Sequence, residues 1–156
     1  MPITIDDRGL YTGLERLLAR IDQVTDTGLA RGADHLEQVA RATSAYEGMS
    51  GATRASTTAY AIGPNSDGSA EATQGFAAAV DQLTGFTGHQ GQAVSQDSGV
   101  VLGPDEKGII LTVFTDYIDL LERELAGDKA FLGPTLASED TTVTAIVAEA
   151  SREALR

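Results

Sequence analysis

The 156-residue chain has no cysteine, no tryptophan and only four prolines. The missing cysteine excludes a disulfide scaffold, thiolate catalysis and thiolate metal ligation, and it leaves the compartment open. No apolar run approaches the ~20 residues that a membrane-spanning helix needs. Lysine and arginine number 11 against 23 aspartates and glutamates, and they stand singly. Counterion-release binding to phosphates requires clustered cations, so direct nucleic-acid binding is not expected. The two histidines, His35 and His89, are far apart in the chain. Neither has a second histidine at metal-ligand spacing.

Residues 1–7 are acidic and lack the apolar core of a signal peptide, so the expectation is a soluble chain made in the cytoplasm. The net charge of −12 fits two roles. One is solubility, and the other is a surface that DNA passes without sticking. The length suits a single domain over 1–156, and a domain of this size buries about 68–70% of its unfolded surface. Folding then requires neither metal nor cofactor.

What is present is organised around Tyr46 to Ile62. Upstream the apolar spacing is helical, and downstream small and β-branched residues alternate. Gly48 and Gly51 stand between the two regimes, where a residue without Cβ suits a helix end and the turn after it. The reading is a helix ending near Tyr46, a glycine corner, and a strand over about 54–62.

Before the corner, Leu10, Leu14, Leu17, Leu18, Ile21 and Val24 predict one apolar stripe on a helix over about 8–24. Gly13 in this helix reads as a tolerated surface glycine. Thr25 or Asp26 is expected to cap a second helix that runs to the corner. Leu29, Ala33, Leu36, Val39, Ala40 and Thr43 form its apolar face, which is rich in alanine, so a neighbour can approach closely. His35, between Asp34 and Glu37, reads as a lone surface histidine.

After the strand, a run of turn formers leads to a third helix, expected from Ser69 to about Phe86. Residues 87–99 are rich in Gly, Gln and Ser and read as a mobile loop. Within it Thr87, His89, Gln92 and Ser95 are candidates for ordering on a partner. Residues 100–102 and 109–115 flank Gly-Pro-Asp-Glu-Lys-Gly and are expected to form a hairpin. Ile109, Leu111 and Val113 make one fully apolar face, as in a sheet covered by helices on one side. Tyr117 to Leu125 reads as a short helix or an irregular turn. Phe131 and Pro134 are expected to anchor the last element in the core, with proline in a first helical turn. Ser138 is a second possible N-cap, and Val143, Ile146, Val147, Ala150 and Ala154 form the stripe of a final helix. The class is α+β: a small antiparallel sheet packed against two N-terminal helices and a C-terminal helix, with a helix-plus-loop insertion over 63–106.

No catalytic constellation satisfies the geometric roles of nucleophile, base and orienting group. Gly48-Met49-Ser50-Gly51 is not a nucleophile elbow, because it lies between a helix and a strand rather than the reverse. The pairs Asp116/Asp119 and Glu122/Glu124 could hold Mg²⁺, but such pairs are common on solvated helices. No catalytic, cofactor or metal residue is assigned.

Tyr46-x-x-Met49-Ser50-Gly51-Ala52-Thr53-Arg54-Ala55-Ser56 resembles a motif of the small tail-completion, or head–tail joining, proteins of long-tailed bacteriophages. That family has two N-terminal helices, a Thr/Ser-Gly-x-x-Arg-x-Ser corner, and then a strand. Ser50, Gly51, Arg54 and Ser56 occupy those places, with Gly48-Met49 where the family usually has a proline. Tyr117 with Glu122, and Phe131 with Pro134 and Leu136, resemble the later Tyr-x-x-x-x-Glu and Phe-x-x-Pro-x-Leu segments. The likeness covers roughly 9–62 and 107–156.

The resemblance implies a non-enzymatic virion protein at the head–tail junction, present in the host cytoplasm during assembly. It implies a homo-oligomeric ring, a hexamer for preference, contacting other neck and tail proteins while genomic DNA passes through without specific binding. A tail terminator or another connector ring of the same assembly is the nearest alternative. Under this resemblance Arg54, Tyr117 and Glu122 are candidate subunit-interface residues; Arg54 reads otherwise as an exposed strand-end arginine. A small regulatory protein-binding module is a second alternative, and an enzyme using His89 or the carboxylates a third.

Overall fold

The computed structural model describes residues 8–43, 57–66, 102–113 and 132–154. The elements in chain order are α1 (Arg8–Ala42), β1 (Thr57–Ile62), β2 (Gly108–Val113) and α2 (Leu132–Ala154). The fold is α+β: a two-stranded antiparallel sheet packed on α1, with α2 alongside. The expected helix over 69–86, the loop over 87–99 and the segment from Tyr117 to Leu125 lie outside the described residues, as does the glycine corner.

The two expected N-terminal helices are one helix of 35 residues. Thr25 and Asp26 do not cap a second helix. The Thr25 hydroxyl instead donates to the Ile21 carbonyl at 2.9 Å, and Thr27 does the same to Gln23 at 3.0 Å. A threonine hydroxyl serves a cap or a carbonyl one turn back equally well, and here the second use wins. Lys107 reinforces it. Its ammonium lies 2.6 Å from Asp26 and 3.3 Å from Asp22, clasping two carboxylates one helical turn apart across the expected break. The helix stops at Ala42, earlier than Tyr46. Thr43 closes it, donating from its amide to Ala40 and from its hydroxyl to Val39.

β2 pairs with β1, in a register that runs from Thr57 opposite Val113 to Ile62 opposite Gly108. The expected hairpin between 100–102 and 109–115 is therefore corrected for its described part. Leu102 lies outside the strands, and its amide donates to Ser66. The Asn65 amide donates to Gly103, where a second turn, closed by Glu106 N–H to Gly103 C=O at 3.3 Å, leads toward β2. Gly63–Ser66 forms the other turn, closed by Ser66 N–H to Gly63 C=O at 3.2 Å. Pro64 presets its second position and Asn65 takes φ 57° at the third, a conformation that asparagine tolerates better than most residues.

The expected apolar face of β2 meets the helices. Leu111 and Val113 form the core with Ala40 of α1, and Ala59 and Leu132 pack against it. α1 also covers the outer edge of β1. Arg41 Nε donates to the Thr57 carbonyl at 2.9 Å, and the Ala59 amide donates to Glu37 at 3.2 Å. Glu37 and Arg41 pair with each other at 3.0 Å. Residues two apart in a strand address the same edge, so this pair satisfies an edge that would otherwise invite another strand.

α2 begins at Leu132 and carries Pro134 in its first turn, where the amide has no intrahelical partner in any case. Pro134 is exposed rather than buried in the core; Phe131 lies outside the described residues. Ser138 is inside the helix and bonds back to Thr135, so it is not an N-cap. α2 runs antiparallel to α1, with Gly28 against Val147 and Ala150, and Gly32 against Val143. A close approach is expected on the alanine-rich face; it occurs at these two glycines, which that expectation does not name.

A methyl group at Gly28 would lie 3.0 Å from the Val147 Cα, which is backbone and cannot move aside cheaply. At Gly32 it would meet the Ile109 Cδ1 methyl at 3.0 Å and Val143 Cγ1 at 3.1 Å, and side-chain ends yield more easily. Gly13 faces open space. Gly13→Ala should therefore raise stability by about 0.5–1 kcal/mol through helix propensity. Gly28→Ala should lower it by roughly 1–3 kcal/mol despite the same gain, with Gly32→Ala between them. Urea melts of the three variants check this ordering. A stabilised Gly28→Ala would show that the two helices do not touch there.

Candidate interaction surface

Two apolar surfaces lie along α1. The first is its N-terminal half. Residues 11–23 are all exposed, and Tyr11, Leu14, Leu17, Leu18 and Ile21 retain 45–63% of their surface. The sequence pattern marks these positions, Tyr11 apart, as a core-facing stripe; the structure corrects that to a stripe facing outward. The reason lies in where α2 ends. Its last residues lie near Gly28 and Arg31, where Glu153 bonds Arg31 at 2.9 Å. From Gly28, α1 continues about 20 residues further toward Arg8, or roughly 30 Å at 1.5 Å per residue.

The second surface is an open groove of about 500 Å³ between α1, β2 and α2. Leu29, Leu36, Ile109, Leu136, Val143 and Val147 supply its apolar walls, and Asp140 is the charged residue lining it. Its size falls within the range of ligand and peptide clefts. Leu29 and Leu36 lie one heptad apart on α1, and Leu18 lies three turns before Leu29. The groove and the exposed stripe are thus neighbouring parts of one helical face.

Polar contacts hold this face in place. His35 Nε2 and Glu139 Oε2 are 2.7 Å apart, joining α1 to α2, so His35 is not the lone surface histidine expected. The His35 hydrogen bond holds the Glu139 carboxyl below its ordinary value, against the opposing effect of burial; Thr142 adds a weaker hydrogen bond. The hydrogen bond to Asp26, then that to Asp22, holds the Lys107 ammonium above its ordinary value, again against partial burial. The arrangement provides shape and apolar area. Among the described residues it brings together no nucleophile, base and orienting group. Among the described residues no group of three or more His, Asp or Glu could hold a metal ion, and no helix is long and apolar enough to cross a membrane.

Every candidate residue named from the sequence lies outside the described residues: Gly48, Gly51, Arg54, Thr87, His89, Gln92, Ser95, Tyr117 and Glu122. The groove was missed in sequence because its walls come from three segments far apart in the chain. The nearest signal was the Gly28-x-x-x-Gly32 spacing, which marks where a second helix can approach. Comparison of the chain with family models, curated proteins and solved structures found no match.

The depressed Glu139 pKa carries a pH signature. A carboxyl whose folded pKa is lowered contributes stability in full above its ordinary value of 4.5 and loses it as pH falls through the folded value. Glu139→Gln should therefore lower the thermal midpoint at neutral pH, and the gap to the wild type should close as the solution is acidified. A gap that stays constant from neutral pH into the acid range would rule out a contribution from the charged carboxylate.

Proposed function

We propose that the chain is a non-enzymatic structural subunit of the head–tail junction of a long-tailed bacteriophage. In this reading it closes with further copies into a ring, sixfold for preference, between the tail tube and the head connector. The carrying observation is the order of elements about the motif. A helix ends at Ala42, a strand begins at Thr57, and Ser50, Gly51, Arg54 and Ser56 fall between them in the chain. A helix before the motif and a strand after it is also the order in the family the motif resembles, with one long helix here where that family has two.

Two further properties support the reading. The chain presents more apolar surface on α1 than a lone globular subunit needs, as expected of a part that is completed by assembly. Its net charge of −12 suits a wall past which DNA slides, because attractive contacts would retard ejection. The neck role as tail-completion protein is favoured over tail terminator on the motif alone. A second reading, a binding module that seats a partner helix, is favoured by the groove of about 500 Å³.

Immunogold labelling of purified virions, with mass spectrometry of the same particles, tests the proposal. The expected result is label confined to the head–tail junction at several copies per particle. Absence of the chain from intact virions would sink the neck reading and turn attention to the groove.

A further inference from the structure

We infer that the N-terminal half of α1 is a self-association seam, which pairs in parallel with the same segment of a second copy of this chain. The inference does not rest on the neck reading. It starts from spacing. Leu14, Leu17, Ile21 and Val24 follow one another at three, four and three residues, and Tyr11 and Leu18 widen the same stripe. That alternation averages 3.5 residues, the period at which an apolar seam stays in contact with another helix over its length. Tyr11, Leu14, Leu17, Leu18 and Ile21 are exposed along the stripe. A helix carrying the same period is the natural cover, and a second copy brings one.

Charge selects both the partner and the direction. Residues 8–24 hold Arg8, Arg16 and Arg20 against Glu15 and Asp22, a net +1 in a chain of net −12. The rest of the chain is therefore at −13, and two copies repel least where these segments meet. Successive residues turn by about 100° around a helix axis. Glu15 and Asp22 then fall on one flank of the stripe, with Arg8 beside them and Asp22 already held by Lys107; Arg20 falls on the other flank, and Arg16 on the far face. Parallel pairing sets the Glu15 flank of each copy against the Arg20 flank of its partner. Antiparallel pairing would set like against like. The contact is two-fold and separate from any head-to-tail contact that closes a ring.

The full-length chain is tested by sedimentation equilibrium over a hundredfold concentration range. The wild type should shift from monomer to dimer or to multiples of the dimer. Leu14→Glu/Ile21→Glu should remain monomeric with an unchanged circular dichroism spectrum, because both positions are exposed in the subunit. Since the chain has no cysteine, single-cysteine variants report direction without background. Val24→Cys, one heptad on from Leu17, should form a disulfide-linked dimer on oxidation, as should Leu17→Cys. A wild type that is monomeric throughout, or an unchanged mass in the double variant, would overturn the seam. Cross-linking of Leu17→Cys without Val24→Cys would overturn the parallel arrangement. A dimer absent from virions would leave this inference standing and remove the neck reading; a monomer found at the junction would do the reverse.

Discussion

At Gly28 the backbone of α2 comes within a methyl group's reach of α1, and most of the described structure follows from that contact. With Val147 Cα only 3.0 Å from where a Cβ would stand, the helices can lie this close only because Gly28 and Gly32 have no side chain. The approach fixes α2 along one face of α1. That face then supplies one wall of the groove, with β2 and α2 supplying the others. It also determines where α2 stops relative to α1, and hence how much of α1 is left uncovered.

α1 organises the rest by carrying a separate polar anchor for each neighbour. Glu37 and Arg41 hold the outer edge of β1, His35 and Arg31 reach α2, and Asp22 and Asp26 receive Lys107 from the turn before β2. Pairs this exposed contribute little each, typically about 0–1 kcal/mol. Their value here is register: they are spread over 20 residues of one rigid helix, so each limits sliding of a different element. The apolar stripe lies N-terminal to the last of these anchors. Among the described residues, α1 thus extends beyond the elements packed on it and carries the exposed stripe there.

Much of the fold was legible in the residues. The alternation of Ile109, Leu111 and Val113 marked the strand face that meets α1, and Val143, Val147 and Ala150 marked the face of α2 that packs on it. The small residues of α1 pointed to a close neighbour. Thr25 and Asp26 misled because cap formers are defined by what their side chains can accept or donate, and the same hydroxyl can bond back within a continuing helix. The partner of β2 misled because proximity in sequence favours a local hairpin, whereas the observed pairing brings together strands separated by 45 residues of chain between Ile62 and Gly108. The groove had no local signature at all.

For the described segments the sequence by itself determined that 8–42 and 132–154 are largely helical and 57–62 and 108–113 extended, and which side of each is apolar, since periods of 3.6 and 2 are local properties of the backbone. Only the tertiary structure decided what each apolar side faces. The stripes of α1 before and after Gly28 obey the same periodicity, yet one is buried and the other is exposed. The difference is the length of α2: a pattern of side chains states that a face needs cover, while the cover comes from wherever another element begins and ends.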